Sequence, residues 1–214
     1  MYKVKTPSFV PTLTKGMVWH LKGLEPQPTL YLTFDDGPIP KLTEWIIQLL
    51  DEYNAKGTFF CVGHNIQKYS TIHQELLVRG HSTGNHTYHH LNGWKTKQYT
   101  YLENVLKASE MDPTPLFRPP YGKITKRQLQ ALKKRYHIIM WDVITGDFDQ
   151  KLSPQACAHK AIKAAEDGSI LVFHDNQKAF PRIQYALPKV LDHYAKLNFQ
   201  FKAITPKLLK GFGE

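Results

Sequence analysis

The sequence predicts an α/β fold, an incomplete or distorted β/α barrel, and three observations carry that prediction. Short β-branched and aromatic runs alternate with longer stretches of helical periodicity, the order that builds a parallel sheet or barrel. About seven such units fit into 214 residues, short for a full eightfold barrel of ~250 residues. No Gly-rich phosphate loop follows the first strong strand, which argues against a dinucleotide-binding sheet.

In chain order, the strand candidates are TLYLTF (29–34), GTFFCV (57–62), HSTGNH (81–86), LFR (116–118), HIIMWDV (137–143), SILVF (169–173) and FQFKAI (199–204). Helical periodicity covers residues 41–53, 66–79, 96–109, 125–135, 154–166 and 181–197. Thr125 and Ser153 stand where N-caps belong, with Pro154 at a first helical position. Gly57, Gly80 and Gly168 follow helical patterns, as C′ glycines do. No repeat, low-complexity run or Gly/Ser linker divides the chain. The expected division is therefore one domain over 29–205, an N-terminal extension (1–28) packed on the barrel and a C-terminal tail (206–214).

The net charge is +10, from 28 Lys and Arg against 18 Asp and Glu. Such a surface suits an anionic polymer or membrane surface. The densest basic run, KKR at 133–135, reads as the outer face of a helix, and no nucleic-acid-binding signature accompanies it. Cys61 lies in an apolar run and reads as a buried small hydrophobe; with Cys157 it leaves a single disulfide open but no disulfide framework. The N-terminal apolar stretches are cut by Pro7, Pro11, Lys15 and His20, so neither a signal peptide nor a spanning helix is expected. The expected location is cytoplasmic, or cell-envelope associated if a leader was removed.

Reactive residue types fall at the ends of the predicted strands. Asp35-Asp36 in TFDDGP closes the first, His86 the third and Arg118 the fourth; Asp147 follows the fifth, and His174 closes the sixth. In a β/α barrel these ends share the face that holds the active site. Alone, Asp-Asp-Gly-Pro would be a solvated turn. His86 and His90, four apart in GNHTYHH, share a face if the segment starts a helical turn, the two-His spacing that binds metal. Two imidazoles and one carboxylate leave coordination positions for water and substrate. The other aspartate then faces that water, kept ionised by a nearby Arg such as Arg118 in the stiff FRPPYG loop. His174 suits a general acid, with Asp147 or Asp175 as its carboxylate partner.

Together these motifs resemble the polysaccharide deacetylase family (NodB homology, carbohydrate esterase family four). TFDDGP matches its first motif, His86-Thr87-Tyr88-His89-His90 its H-[ST]-x-x-H motif, and Arg118-Pro119-Pro120-Tyr121-Gly122 its Arg-Pro-Pro-Tyr motif. The resemblance covers roughly residues 29–204. It implies a distorted (β/α)7 barrel and a hydrolase that removes N-acetyl groups from GlcNAc-type sugars (peptidoglycan, chitin-like oligomers or a glycolipid) by attack of metal-bound water. The implied cofactor is a divalent metal, usually zinc, with cobalt or nickel able to replace it. Its implied ligands are Asp36, His86 and His90. Asp35 would be the base, anchored by Arg118; His174 would be the acid, tuned by Asp147; the Tyr121 backbone N–H would help bind the oxyanion.

Two departures stand out. The family's Asp-x-x-Asp-Trp motif reads Ile144-Thr145-Gly146-Asp147-Phe148 here, so Phe148 takes the place of a groove-wall Trp and Ile144 loses a polar contact. Val172 stands where a Leu lines the acetyl-methyl pocket. Alternative readings are a hydrolase of a small non-sugar amide or cyclic imide, which the intact triad argues against, and a non-catalytic carbohydrate-binding protein. Trp94 and Tyr88, near the second motif, either line the groove or pack inside.

Overall fold

The structure, a computed structural model, describes residues 3–210; residues 1–2 of the expected extension and 211–214 of the expected tail lie outside the described residues. The extension contributes helix α1 (Phe9–Leu13) and strand β1 (Met17–Val18), neither of which its short, Pro-cut apolar stretches predicted. Next comes β2 (Thr29–Asp35), buried at all seven positions, as a strand covered on both faces must be. The chain continues through α2 (Leu42–Glu52), β3 (Thr58–Cys61), α3 (Gly63–Lys68), α4 (Ser70–Val78), β4 (Ser82–Asn85), α5 (Gln98–Ser109), β5 (Leu116–Phe117) and a 3₁₀ turn at Pro120–Gly122. It ends with α6 (Lys126–Leu132), β6 (His137–Ile139), β7 (Val143–Ile144), α7 (Pro154–Ala164), β8 (Ile170–His174), α8 (Phe180–Lys196) and β9 (Gln200–Phe201).

The strands run in the order β1-β6-β5-β4-β3-β2-β8-β7, with β9 added to β2, and every ladder is parallel. Two edges remain, at β1 and β7, and the N-terminal extension spans them. Lys5 bridges Val143, Met17–Val18 pairs with β6, and His20 bridges Ser169. The result is the expected incomplete barrel with its seam closed by the extension.

Alternation along the strands sorts the core into two layers. Leu30, Leu32 and Phe34 of β2 face outward with Ile46, Leu50, Ala161, Leu187 and Val190 of the helices. Tyr31, Phe60, Leu116, Ile139 and Ile170, one from each of five strands, meet inside the barrel, where Ile204 and Leu209 of the C-terminal segment join them. The face of β2 that carries Tyr31 also carries Thr33 and Asp35, so all three look into the barrel. Cys61 and Cys157 are buried and free, so no disulfide joins them.

Several local expectations change. The run 137–143 is two strands, because Met140–Asp142 leave the ladder. The Ile139 and Met140 carbonyls accept from the Arg118 guanidinium, and the Asp142 carboxylate accepts from Ser169 and Ile170. The helix expected over 66–79 breaks at Tyr69 (φ −129°, ψ 48°) and begins earlier, where Gly63 donates to the Thr87 carbonyl. KKR at 133–135 follows α6 as a turn instead of lying on its face. Gly80 does take the left-handed position after a helix, but Asn54 (φ 48°) does so after α2, leaving Gly57 to pack against the Phe34 ring. Gly168 sits in the turn before β8, under the Leu21–Lys22 backbone. Thr125 caps α6 through Gln128, and Ser153 caps α7 through Ala156, with Pro154 opening that helix.

Candidate active site

Asp35 and His174 are the last residues of β2 and β8, and His86 and Arg118 immediately follow β4 and β5. All four therefore meet at the C-terminal end of the barrel. The β2–β8 ladder pairs Asp35 directly with His174.

Arg118 is wholly buried and organises the centre. Its Nη1 donates to Asp35 Oδ1 and to Thr33 Oγ1, each at 2.7 Å; Nε donates to the Ile139 carbonyl (3.0 Å) and Nη2 to the Met140 carbonyl (2.8 Å). Its guanidinium carbon lies 4.1 Å from the Phe60 ring centre and 5.6 Å from that of Trp141. One oxygen of Asp35 is thus clamped. The other, Oδ2, faces the next cluster, 3.9 Å from His86 Nε2.

That cluster is Asp36, His86 and His90, whose donor atoms all lie within 4.8 Å of one another. Asp36 adopts φ 86°, a strained conformation for a non-glycine residue, and its carboxylate joins that of Asp35 beside His86. Its Oδ1 lies 3.0 Å from His90 Nε2 and 3.7 Å from His86 Nε2. The same oxygen is buried without a hydrogen-bond partner, so the short His90 approach is off-axis for a hydrogen bond. An orphaned buried carboxylate oxygen facing two imidazole nitrogens is the donor set a divalent cation takes. His86 Nδ1 contacts the Arg118 carbonyl at 2.7 Å, leaving Nε2 to face the cluster. Burial lowers the His86 pKa to about 4, which keeps the ring neutral and its nitrogen able to ligate. Burial alone would raise the Asp36 carboxyl; His90 first, then the charges of His174 and His86, hold it well below the usual carboxylate range.

The two histidines converge without the expected helical turn. Thr87 (φ 61°) and His90 (φ 54°) are left-handed in a loop that brings the rings to 5.0 Å between centroids. His89 points away and stacks with His64.

His174 Nδ1 lies 2.8 Å from Asp147 Oδ1, and its backbone N–H donates to Asp147 Oδ2 at 2.6 Å. Asp147 is therefore the carboxylate partner, not Asp175. Burial opposes the charged imidazole, but Asp147, with smaller help from Asp36 and Asp35, raises the His174 pKa to about 9. Phe148 packs edge-on against the His174 ring at 5.2 Å. Val172, two residues back on the same face of β8, is fully buried below the site, while Ile144 is partly exposed on β7. Tyr121 (φ 60°) is largely exposed; its hydroxyl lies 3.1 Å from His90 Nδ1, and its backbone N–H has no acceptor among the described residues.

Sequence reading missed two contributors, Thr33 and Asn176, and gave a third, Asp175, a different role. Thr33 shares a face with Asp35 and holds Arg118, which the period-2 alternation of β2 could have shown. Asn176 donates to Asp36 Oδ2 at 2.6 Å, and only its place two residues after His174 hinted at this. Asp175, fully buried, accepts from Thr43 Oγ1 at 2.5 Å, and a Cβ on Gly37 would come within 2.2 Å of its Oδ2. It thus props the Asp-Asp-Gly-Pro turn from beneath. Burial, with the Asp36 charge, raises its pKa to about 8. Such a carboxyl holds its proton only in the folded state, so its contribution fades as pH rises from about 4 to 8. Asp175→Asn is therefore expected to gain melting temperature relative to the parent as pH rises across that window, as measured by calorimetry on metal-free protein.

A second His-carboxylate group, His20, Asp142 and Glu166, lies at the seam. The Lys5 ammonium bridges its two carboxylates at 2.7 and 2.8 Å, so this group already holds a cation.

Fold and site define an incomplete β/α barrel whose strand ends gather an Asp-His-His cluster, an Arg-clamped carboxylate and a His-Asp couple. The chain belongs to the polysaccharide deacetylase family, whose model matches residues 22–137. It is 35% identical over 150 residues to a peptidoglycan-N-acetylglucosamine deacetylase of Bacillus cereus, covering 67% of this chain and 54% of that protein. A second Bacillus cereus protein of the same name is 28% identical over 185 residues, covering 83% of this chain and 86% of that one. The solved structure of the Bc1960 peptidoglycan N-acetylglucosamine deacetylase superposes with a TM-score of 0.83 at 27% identity, over 92% of this chain and 94% of that one. The chain thus spans about half of the first relative's length and most of the other two.

Proposed function

We propose that this protein is a metal-dependent hydrolase that removes N-acetyl groups from GlcNAc-type sugars, with zinc as the preferred cation and cobalt or nickel as substitutes. The observation that carries the reading is the orphaned Asp36 oxygen, which faces His86 and His90 beside the free oxygen of Asp35. The peptidoglycan substrates of the relatives support the sugar class. Asp36, His86 and His90 would hold the cation, which when bound supplies Lewis-acid polarisation of the amide carbonyl and acidifies water.

The chain's own residues do the rest. Arg118 holds Asp35 by Oδ1, so Oδ2 is the atom that takes a proton from the attacking water. Asp147 holds His174 by Nδ1, so Nε2 is the atom that protonates the departing amine. The two groups sit on paired strands, one to receive a proton and one to give it. The Tyr121 N–H donates to the oxygen on which negative charge develops, and Phe148 shields the His174 ring. Val172 forms the floor of the acetyl-methyl pocket.

The test is acetate release from GlcNAc oligomers and peptidoglycan fragments by protein stripped with chelator and then resupplied with zinc or cobalt. Release that returns with metal supports the reading; metal binding without release from any N-acetylated sugar sinks it. Because His174 must be protonated and titrates near 9, the rate is expected to fall above that pH. Asp147→Asn should move this alkaline limb toward neutrality, as a pH–rate profile would read directly.

A further inference from the structure

Trp94 is the side chain that the deacetylase reading leaves unexplained. Its indole is 66% exposed, yet it is held in place. Nε1 donates to the Ile124 carbonyl (3.1 Å), and its backbone N–H donates to Asn92 Oδ1 (3.0 Å). Beside it, Gly93 N–H donates to the Lys123 carbonyl (3.2 Å), and Gln128 Nε2 donates to the Gly93 and Thr96 carbonyls. A Cβ on Gly93 would lie 2.4 Å from the Lys123 oxygen, so the loop is pressed against residues 123–124. That strip leads to the centre: Tyr121, two residues before Lys123, has its ring 4.6 Å from that of His90. Tyr88, by contrast, is buried. A large apolar side chain fixed in solvent pre-organises a contact surface, since no ordering cost remains when a ligand arrives.

The two segments that form this strip carry one sign of charge. Residues 91–102 and 119–135 contain no Asp or Glu. Lys95, Lys97 and Lys126 are exposed, and the Lys123 ammonium lies 5.4 Å from the indole centre.

We propose that Trp94, with Lys95 and Lys123, forms a subsite for a carboxylate-bearing sugar residue adjoining the N-acetyl sugar at the metal centre. This rests on the deacetylase reading and narrows it to acidic glycan strands. The indole receives the apolar C–H face of the sugar ring, and the lysines meet its carboxylate. A neutral chitin-like strand would use only the indole.

The test compares kcat/KM on two sets of oligomers of equal length, one of GlcNAc alone and one alternating GlcNAc with its lactyl ether, N-acetylmuramic acid. Calorimetric binding of the same oligomers to Asp35→Asn, with and without Trp94→Ala, reads the subsite separately from turnover. The parent is expected to favour the acidic set by about fivefold, a preference abolished by high salt. Trp94→Ala should lower kcat/KM on both sets about tenfold, with melting temperature unchanged, and Trp94→Phe should restore most of it. Lys95→Ala/Lys123→Ala should lower it on the acidic set alone. Unchanged kcat/KM or binding in Trp94→Ala, or equal use of both sets by the parent, would overturn the subsite while leaving the deacetylase reading intact. Trp94-dependent binding of the acidic set without turnover would uphold the subsite and sink the deacetylase reading.

Discussion

Asp35→Asn is expected to lower deacetylation by about two to four orders of magnitude, the contribution of a positioned general base, while zinc affinity measured by calorimetry stays within a few-fold. The reasoning is geometric. Asparagine keeps the size of the side chain, and its oxygen still accepts from Arg118, so the ligands Asp36, His86 and His90 keep their places. What disappears is the basic oxygen 3.9 Å from His86 Nε2. The Arg118 charge is also left without its carboxylate in a fully buried position, so stability should fall by about 1–3 kcal/mol, measurable by urea unfolding. Retained turnover in a folded, metal-loaded variant would remove Asp35 from the base role.

Arg118→Met should have the largest effect on stability, a loss of about 3–5 kcal/mol, as expected when one partner of a buried ion pair is removed. Asp35 would remain as an uncompensated buried charge, and the Ile139 and Met140 carbonyls would lose their guanidinium donors. Arg118→Lys should rescue little, because one ammonium cannot span Asp35, Thr33 and both carbonyls from a planar fork. Denaturant unfolding of Arg118→Met, Asp35→Asn and the double variant tests the coupling. The double variant should be less destabilised than the sum of the two, since each single change strands the other charge.

Much of the centre was legible in the sequence because it is written locally. TFDDGP, H-x-x-x-H and the Arg-Pro-Pro run each sit at a strand end, and strand–helix alternation puts strand ends on one face. The long-range features were not legible. That residues 137–143 make two strands depends on Arg118 capturing carbonyls 21 and 22 positions away. The choice of Asp147 over Asp175 depends on which carboxylate the register of β7 and β8 turns toward His174. Nor could spacing show that His86 and His90 meet through two left-handed residues instead of a helical turn. Closure of the seam by Lys5, Met17–Val18 and His20 lay in a segment with no strong periodicity, where pairing is decided by the edges it finds.

The direct pairing of Asp35 with His174 divides the molecule's labour. The spacing of Asp35 and His174, the proposed proton acceptor and donor, is set by a backbone ladder, where a one-residue slip of either strand would turn its side chain to the wrong face. The proposed subsite around Trp94 lies on loops that contribute no strand to that ladder. Under the proposed function, substitutions at Trp94 or Lys123 would change which glycan is held while the ladder that spaces Asp35 and His174 stays as it is.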